Sequence, residues 1–571
     1  MDSETRALIR KYAIKNAMDY RTAREGAVIS KVLSEKPELK HSMKELALEV
    51  RSMVAEINGY GKEDLEREYG KYADEFRAAA EEKAERTAKP NISIPEAVRG
   101  AFVTRFPPEP NGYMHIGHAK PAFLERELTD KYNGKMILFF DDTNPEKEKQ
   151  EFVDAIKKDL AWLGIAYDSE CYASDNVWRM YEFAESAIRS GDLYVCTCTI
   201  EQMKKGRETG TGCAHKSQSG EENIALWKGM LNGSIGEGAI VRLNGDMKSL
   251  NTVMRDPTMF RIKIDRHYRQ GDKYRVWPTY NFSTPIMDSL NGMTDIIRSK
   301  EYELRDELYA KVLDMLGLRK PRVHTISRLE ILNNVTSKRT IIAMIKDGTI
   351  KSFDDPRLIT ISALRRRGIR PAAIREFALS FGMGKANTKV ELQKLLDYNR
   401  KLVEGDAVRL LFARDPLVMR VSGMGPDGVK VSMNPSGTLN GKREYTIKDS
   451  VCIDADDREA LREGSMVRLK DAFNVSVGSA DGDILSGKYA GAEPTTPPRI
   501  RWVAPESAIK ATLLVIGDLL RDEKPNEEGL LSVEGLIEGA ASNLKEGDIV
   551  SLDRRGLFKL DDIKSMMFIS L

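Results

Sequence analysis

Cysteine is scarce in this chain, which contains five among 571 residues. Five cysteines are too few for a disulfide framework in a protein of this size, and they favour a reducing compartment. No run of about 18 apolar residues is present, and residues 1–6 lack the layout of a signal peptide. An excess of one charge is also missing, with 89 basic and 87 acidic residues. These absences predict a cytoplasmic protein without membrane contact. They leave a nucleic-acid partner open, because binding needs a basic face rather than a basic total.

The chain has enough apolar residues for several cores. A length of 571 residues with 41% hydrophobic content predicts about three to five globular domains. The first 95 or so residues are polar with helical periodicity, and the apolar face is carried by Leu46, Val50, Met53, Val54 and Ile57. The charged run at 78–86 predicts a solvated helix, with a tRNA-facing or partner-facing appendage as the alternative.

A strand–helix–strand pattern begins after Lys89. Apolar runs at Ala101–Arg105 and Met136–Phe140 alternate with helical stretches after His118 and across Phe152–Leu163. This order predicts a parallel α/β sheet, which continues in Val276–Lys300. Ligands of such sheets bind at the carboxyl ends of the strands, where Arg105–His118 and Asp141–Asn144 are expected.

From about Ala407 the pattern changes to short strands separated by turn residues, which predicts one or two barrel-like β modules. The predicted strands are Val408–Phe412, Leu417–Val421, Met466–Leu469, Arg499–Val503 and Asp548–Leu552.

Two short motifs predict phosphate chemistry. His115 and His118 lie three residues apart beside Gly117, between an apolar strand and a helix. Backbone N–H groups at such a turn can bind phosphate, and the imidazoles can add donors. Far downstream, Val335-Thr-Ser-Lys-Arg339 offers a mobile lysine charge for a polyphosphate. Taken alone, the histidine pair could be a local helix cap, and the Ser-Lys-Arg loop could be a basic turn on the surface.

Together these motifs resemble the class I aminoacyl-tRNA synthetases of the glutamyl/glutaminyl branch. His115–His118 resembles their HIGH box, and Val335–Arg339 resembles their KMSKS loop, with Thr336 where Met is usual. The other family-like segments are Arg105–Tyr113, Asp141–Pro145, Trp277–Phe282, Asp354–Arg357 and Leu364–Gly368.

The resemblance implies an α/β fold with a Rossmann-type parallel-sheet catalytic domain. It assigns an N-terminal helical extension to 1–97, the first catalytic half to 98–195, an acceptor-binding insertion to 196–274, the second catalytic half to 275–345, a helical stem-contact domain to 346–406 and β-barrel anticodon-binding domains to 407–571.

The implied reaction joins an amino acid to tRNA through an adenylate made from ATP with Mg²⁺. His115, His118 and Lys338 would be catalytic. Pro108, Gly117, Ser337 and Arg339 would join His118 and Lys338 in binding ATP. The expected amino-acid pocket consists of Arg105, Glu109, Asp141, Tyr280, Asn281 and Arg298, with Asp141 on the substrate ammonium.

Arg298 favours L-glutamate as the substrate. A buried guanidinium pairs with a γ-carboxylate but would lack a counter-charge before a neutral amide. The alternative role for Arg298 is a salt bridge to Glu301 or Glu303. Competing functions are a glutaminyl-tRNA synthetase, a small-molecule nucleotidyltransferase and a catalytically silent RNA-binding scaffold.

A Cys-x-Cys…Cys-x-His cluster is formed by Cys196, Cys198, Cys213 and His215. Four such ligands suit a closed tetrahedral zinc site, and ordinary reduced thiols are the alternative.

The expected RNA partner is tRNA(Glu), with tRNA(Gln) open as a second one, and the expected state is a monomer. Arg365, Arg366 and Arg367 are candidates for tRNA phosphate contacts, with a solvated helix end as the alternative. Arg501 is one of several arginines in the β region that are RNA candidates by charge alone.

Overall fold

The computed structural model describes residues 1–76, 90–425, 427–433, 443–481, 484–494 and 496–571. The chain divides into two compact units, Met1–Lys89 and Pro90–Leu571. The helix predicted at 78–86 lies outside the described residues. Within the described ranges, none of the helices combines the length and apolar character needed to cross a bilayer.

The first unit is helical, as predicted. Its helices are α1 (Ser3–Tyr20), α2 (Glu25–Glu35), α3 (Met43–Asn58) and α4 (Lys62–Gly70). On α3, Leu46, Val50, Val54 and Ile57 are buried, and Met53 packs at the edge of the same core. The predicted apolar face of this helix is therefore the one that closes the core.

The second unit begins with an α/β region that continues into a helical segment. Its helices are α5 (Ile116–Lys131), α6 (Gln150–Leu163), α7 (Val177–Arg189), α8 (Ile200–Thr209), α9 (Gly220–Asn232), α10 (Tyr280–Leu290), α11 (Asp306–Met315), α12 (Lys338–Lys346), α13 (Ile361–Arg367), α14 (Pro371–Leu379) and α15 (Gln393–Val403). Its strands are β1 (Val103–Phe106), β2 (Lys135–Phe140), β3 (Ser169–Tyr172), β4 (Leu193–Cys196), β5 (Ile240–Leu243), β6 (Thr258–Ile262), β7 (Val276–Pro278), β8 (Asp295–Ser299), β9 (Arg322–Ile326), β10 (Leu329–Ile331) and β11 (Thr388–Val390).

The parallel sheet comes from both halves of this region. Strands β1, β2 and β3 pair in parallel, and so do β8 and β9. The Thr294 N–H donates to the Val103 carbonyl at 2.9 Å, which places β8 beside β1. The four-stranded antiparallel sheet β4–β5–β6–β7 is inserted between the halves. The prediction that the parallel sheet continues from Val276 is therefore wrong for Val276–Pro278, which pairs antiparallel with β6, and right for β8. The carboxyl ends of β1, β2 and β8 therefore share one edge, as the predicted site requires.

Residues 90–97, which the sequence analysis assigns to the extension, pack with the second unit. Ile94 is buried with Phe102 and Leu124, and its N–H donates to the Tyr132 hydroxyl at 2.8 Å.

The C-terminal region contains two seven-stranded sheets. Its strands are β12 (Val408–Leu410), β13 (Phe412–Arg414), β14 (Leu417–Ser422), β15 (Val429–Met433), β16 (Arg443–Ile447), β17 (Ser450–Ile453), β18 (Met466–Leu469), β19 (Asn474–Asp481), β20 (Ile484–Tyr489), β21 (Arg499–Ile500), β22 (Trp502–Val503), β23 (Ile509–Ile516), β24 (Leu520–Arg521), β25 (Lys524–Pro525), β26 (Leu530–Ile537), β27 (Ile549–Leu552), β28 (Gly556–Asp562) and β29 (Met567–Ser570).

Both sheets curve until their edges meet. One runs β12-β27-β28-β29-β23-β26-β13, and the other runs β21-β18-β19-β20-β14-β17-β22. In each sheet the two edge strands are consecutive in the chain, separated only by Leu411 or by Arg501. The segments Val408–Phe412 and Arg499–Val503 are each predicted as one strand, but each contains two. One half of the segment forms one edge of the sheet, and the other half forms the opposite edge. The barrel-like prediction is confirmed.

Candidate active site

The turn between β1 and α5 brings the two histidines together. His115 caps α5, and its Nδ1 accepts the Gly117 N–H at 3.0 Å. His118 Nδ1 accepts the His115 N–H at 3.2 Å, and the rings stack with centroids 3.9 Å apart. A Cβ on Gly117 would lie 2.7 Å from His115 Cε1, so only glycine fits there. The expectation that the helix follows His118 is wrong, because this capping starts the helix at Ile116.

The same backbone bonds fix the form of the imidazoles. Because each Nδ1 is an acceptor, the proton of each neutral ring lies on Nε2. Burial lowers the pKa of His118 to about 4 and that of His115 well below its usual value. Both rings therefore present a neutral Nε2–H donor, which can bond a phosphate oxygen.

Lys338 approaches the histidine turn from another part of the chain. Ser337 caps α12, and Lys338 is the first residue of that helix. The Lys338 Nζ donates to the Asn111 carbonyl and lies 4.2 Å from the centre of the Phe152 ring. Desolvation lowers the pKa of Lys338. His115, His118 and Lys338 line one cavity of about 780 Å³.

The other predicted ATP residues divide into two groups. Pro108 and Gly117 line the cavity, whereas Ser337 and Arg339 are exposed and do not line it. Thr336, where the family usually has Met, is in the wall beside Lys338.

Acidic groups lie at the strand ends of the cavity. Glu109, Asp141 and Glu148 all line it. Burial, with repulsion from Glu109, raises the pKa of Asp141 to about 7. Burial also raises the pKa of Glu148 to about 9, although its carboxylate accepts the Asn144 N–H. A substrate ammonium would relieve this crowding of negative charge.

Arg105 lines the cavity, but its guanidinium already has partners. It pairs with Asp288 at 2.9 Å, and its Nη1 donates to the Ile297 carbonyl at 3.2 Å. The Asp288 charge raises the pKa of Arg105 despite complete burial. Among the remaining pocket residues, Tyr280 and Asn281 line the same wall, and Asn281 accepts from Arg305 at 2.6 Å.

Arg298 is buried and also lines the cavity. Its carboxylate partner is Asp306, at 2.5 Å. The alternative prediction, a salt bridge from Arg298 to Glu301 or Glu303, is wrong, because Glu301 pairs with Arg328 and Glu303 pairs with Lys385.

Several wall residues were not predicted from the sequence, including Lys120, Glu125 and Glu148. Lys120 Nζ donates to the Ser327 carbonyl at 2.8 Å. Glu125 lies seven residues after His118 on α5, so helical periodicity was the available signal.

The three consecutive arginines of α13 differ in exposure. Arg367 is 4% exposed and donates to the Ser570 carbonyl, so it does not present its guanidinium to a phosphate. Arg366 pairs with Asp561 at 2.9 Å and Arg365 lies 3.5 Å from Asp159, both partly exposed. In the β region, Arg501 is buried between Asp454 and Asp457, which removes it as an RNA candidate.

The four predicted metal ligands do converge at the end of β4. The ligand atoms of Cys196, Cys198, Cys213 and His215 lie within 4.8 Å of one another. The Cys196–Cys213 Sγ distance is 3.8 Å, and Cys198 Sγ lies 3.4 Å from His215 Nδ1. With metal–ligand bonds of about 2.3 Å to sulfur and 2.0–2.1 Å to nitrogen, tetrahedral zinc has ligand separations of about 3.8 and 3.5 Å. The donor set and these two separations fit zinc.

A parallel sheet that brings a histidine-capped helix and a distant lysine to one cavity defines the catalytic region of a class I tRNA synthetase. The family "tRNA synthetases class I (E and Q), catalytic domain" matches residues 101–404, and its anti-codon binding domain matches 407–490. The chain belongs to this glutamate and glutamine family of class I tRNA synthetases.

Curated relatives match the full chain. The chain is 39% identical to a glutamate–tRNA ligase of Nitrosopumilus maritimus, with 100% of both chains covered. It is 38% identical to that of Cenarchaeum symbiosum over 96% of each chain, and 36% identical to that of Thermococcus kodakarensis over 98% of each.

Proposed function

We propose that this chain is a glutamate–tRNA ligase, which activates L-glutamate with ATP and transfers it to the 3′-terminal ribose of tRNA(Glu), releasing AMP and pyrophosphate. The observation that carries the proposal is the presence of His118, Lys338 and Arg298 in the wall of one cavity. The relatives that match the whole chain carry the same activity in their names.

The residues support a reaction without a protein nucleophile. An α-carboxylate oxygen of glutamate attacks the α-phosphorus of ATP, and the bond to pyrophosphate breaks. The Nε2–H groups of His115 and His118 stabilise the negative charge of the phosphate. The Lys338 ammonium stays paired with the pyrophosphate as it leaves. The chemistry that Mg²⁺ would supply, when bound with ATP, is neutralisation of phosphate charge. Asp141 pairs with the substrate ammonium.

Arg298 supports glutamate over glutamine. Its side chain is 4% exposed, and Nε and Nη1 are buried without a hydrogen-bond partner. A γ-carboxylate can accept from Nη1, or from Nε, together with the second N–H of Nη2, whereas the amide of glutamine has one acceptor oxygen and an NH₂ group that would face these N–H donors.

ATP–pyrophosphate exchange with tRNA(Glu) present tests the proposal. We expect exchange with glutamate and none with glutamine, and Arg298→Cys should lose glutamate use. Arg189→Cys, which breaks an exposed pair with Glu185, is the control. Equal exchange with glutamine would refute the glutamate assignment, and charging assays with tRNA(Gln) decide whether it is a second acceptor.

We propose a structural zinc ion at the cysteine cluster, which joins the end of β4 to residues 213–215. Thr197 Oγ1 lies 3.0 Å from His215 Nε2, a bond that leaves Nδ1 for the metal. Metal analysis of the purified chain should find about one zinc ion, lost in Cys196→Ser. Zinc-free wild-type protein would contradict the proposal.

We propose that Arg365 and Arg366 contact tRNA phosphate, since both guanidinium groups remain partly exposed. We also propose a monomer that works in the cytoplasm, a compartment that suits five free cysteines.

A further inference from the structure

The ion pair between Arg298 and Asp306 lies at the edge of the cavity. Arg298 Nη2 donates to Asp306 Oδ1 at 2.5 Å. The arginine side chain is 4% exposed and the aspartate side chain 37%. Arg298 lines the cavity and Asp306 does not. The aspartate therefore does not line the cavity itself and contacts its wall through the arginine.

The guanidinium is held on a second side by an aromatic ring. Its central carbon lies 4.7 Å from the centre of the Tyr309 ring. The Tyr309 hydroxyl donates to Asp288 at 3.0 Å, and Asp288 pairs with Arg105. Asp306 and Tyr309 lie three residues apart on α11, so one helical turn supplies both contacts.

This support leaves donors of Arg298 for a ligand. Nε and Nη1 are buried and have no partner, whereas Nη2 is held by Asp306. A guanidinium has five N–H donors, so one contact at Nη2 leaves an edge for a second carboxylate. Because Asp306 is partly exposed, solvent screens its repulsion of that carboxylate.

We propose that Asp306 is a positioning residue for amino-acid selection, which holds Arg298 by one nitrogen so that its other donors meet the side-chain carboxylate of the substrate. This inference rests on the proposed activation of glutamate. Loss of the ion pair lets the guanidinium turn in the pocket, and glutamate binding then has to restore its orientation.

The experiment compares aminoacylation of tRNA(Glu) by wild type, Asp306→Asn and Asp306→Glu. We expect Asp306→Asn to raise the KM for glutamate about tenfold or more, with kcat and the KM for ATP nearly unchanged. Its preference for glutamate over glutamine should fall. Asp306→Glu restores a carboxylate and should recover part of the loss. Asp314→Asn is the control, because Asp314 lies on the same helix in an exposed 2.5 Å pair with Lys320.

The outcomes separate the two proposals. A wild-type chain that does not charge tRNA with glutamate defeats the proposed function. If wild type charges glutamate and Asp306→Asn has an unchanged or lower KM for it, only the positioning role is overturned. A matching rise in the KM for ATP together with a lower melting temperature would also overturn it, since that is the result of a structural defect.

Discussion

The two histidines of the cavity owe their chemistry to backbone bonds. Each Nδ1 accepts a backbone N–H, so each neutral ring donates from Nε2. We expect His118→Ala to lower the rate of ATP–pyrophosphate exchange about 10²–10³-fold, the scale of a lost donor to a charged transition state. Because the pKa of His118 is about 4, the loss should be similar from pH 6 to 8. His41→Ala, at an exposed position of the first unit, is the control. A loss below tenfold would contradict this role.

Glu125 gives a prediction about stability and pH. It is fully buried, neither carboxylate oxygen has a partner, and burial raises its pKa well above the usual 4.5. Above pH 4.5 the unfolded chain releases this proton while the folded chain keeps it, so stability falls as pH rises toward the folded pKa. Glu125→Gln has no proton to release, so it does not lose stability in this way. The melting temperature of the variant minus that of wild type should therefore increase from pH 5 to pH 8.

The control for Glu125 is on the same helix. Glu127→Gln breaks an exposed pair with Arg375 and should shift melting by the same amount at each pH. If the Glu125→Gln difference is as constant with pH as the Glu127→Gln difference, Glu125 is not a buried neutral acid.

At the residue scale, the sequence predicts which side chains line the site better than it predicts which side chains pair with one another. The histidine spacing and the lysine loop identify residues that do meet in one cavity. The sequence does not show that Arg298 pairs with Asp306 instead of Glu301, although all three lie within eight positions. That choice depends on the 3₁₀ helix Lys300–Arg305, which turns Glu301 toward Arg328 and starts α11 at Asp306.

Elements show the same limit on a larger scale. The apolar run at Val408–Phe412 predicts one strand, and its apolar residues are buried. Its halves pair with β27 and β26, partners more than 120 residues away, and the break at Leu411 closes the sheet. Local pattern cannot choose between such distant partners, because the pairing is decided by tertiary packing.

The segment after β23 supports the Lys338 loop. The Leu520 N–H donates to the Asn333 carbonyl at 3.1 Å, and Leu519 is buried against Ile341 and Met344 of α12. We expect Leu519→Ala to lower the free energy of unfolding by about 2–5 kcal/mol, because it leaves a cavity under α12. Urea denaturation measures this. Leu531→Ala, at a site 48% exposed, should cost far less. Equal losses would show that this packing contributes little.

The cysteine cluster adds a test at the end of β4 that does not depend on activity. Arg242 is buried, and its Nη1 lies 3.8 Å from the Sγ atoms of both Cys196 and Cys213. The proposed zinc ion with three thiolates and one neutral histidine would have a net charge of −1, which this guanidinium would balance. Arg242→Met should weaken zinc binding about 10–100-fold in a chelator competition. Arg255→Met, whose wild-type side chain bonds backbone carbonyls, is the control, and equal zinc affinity in the two variants would contradict the charge-balancing role.

The whole molecule consists of two units, each with its own core. Ile9, Ala13 and Val50 are among the residues that close the core of the first unit, whereas the cavity residues all belong to the second. We expect a fragment of residues 90–571 to fold and to support glutamate-dependent exchange near the full-length rate.

A second fragment tests where the boundary falls. Residues 98–571 lack Ile94, which is 1% exposed and packs on Phe102 and Leu124. That fragment should melt several degrees below residues 90–571, because losing a buried isoleucine costs about 2–5 kcal/mol. Identical melting would show that the contacts of residues 90–97 contribute little. An inactive 90–571 fragment that nevertheless folds would show that activation depends on the helical unit, because every cavity residue would still be present.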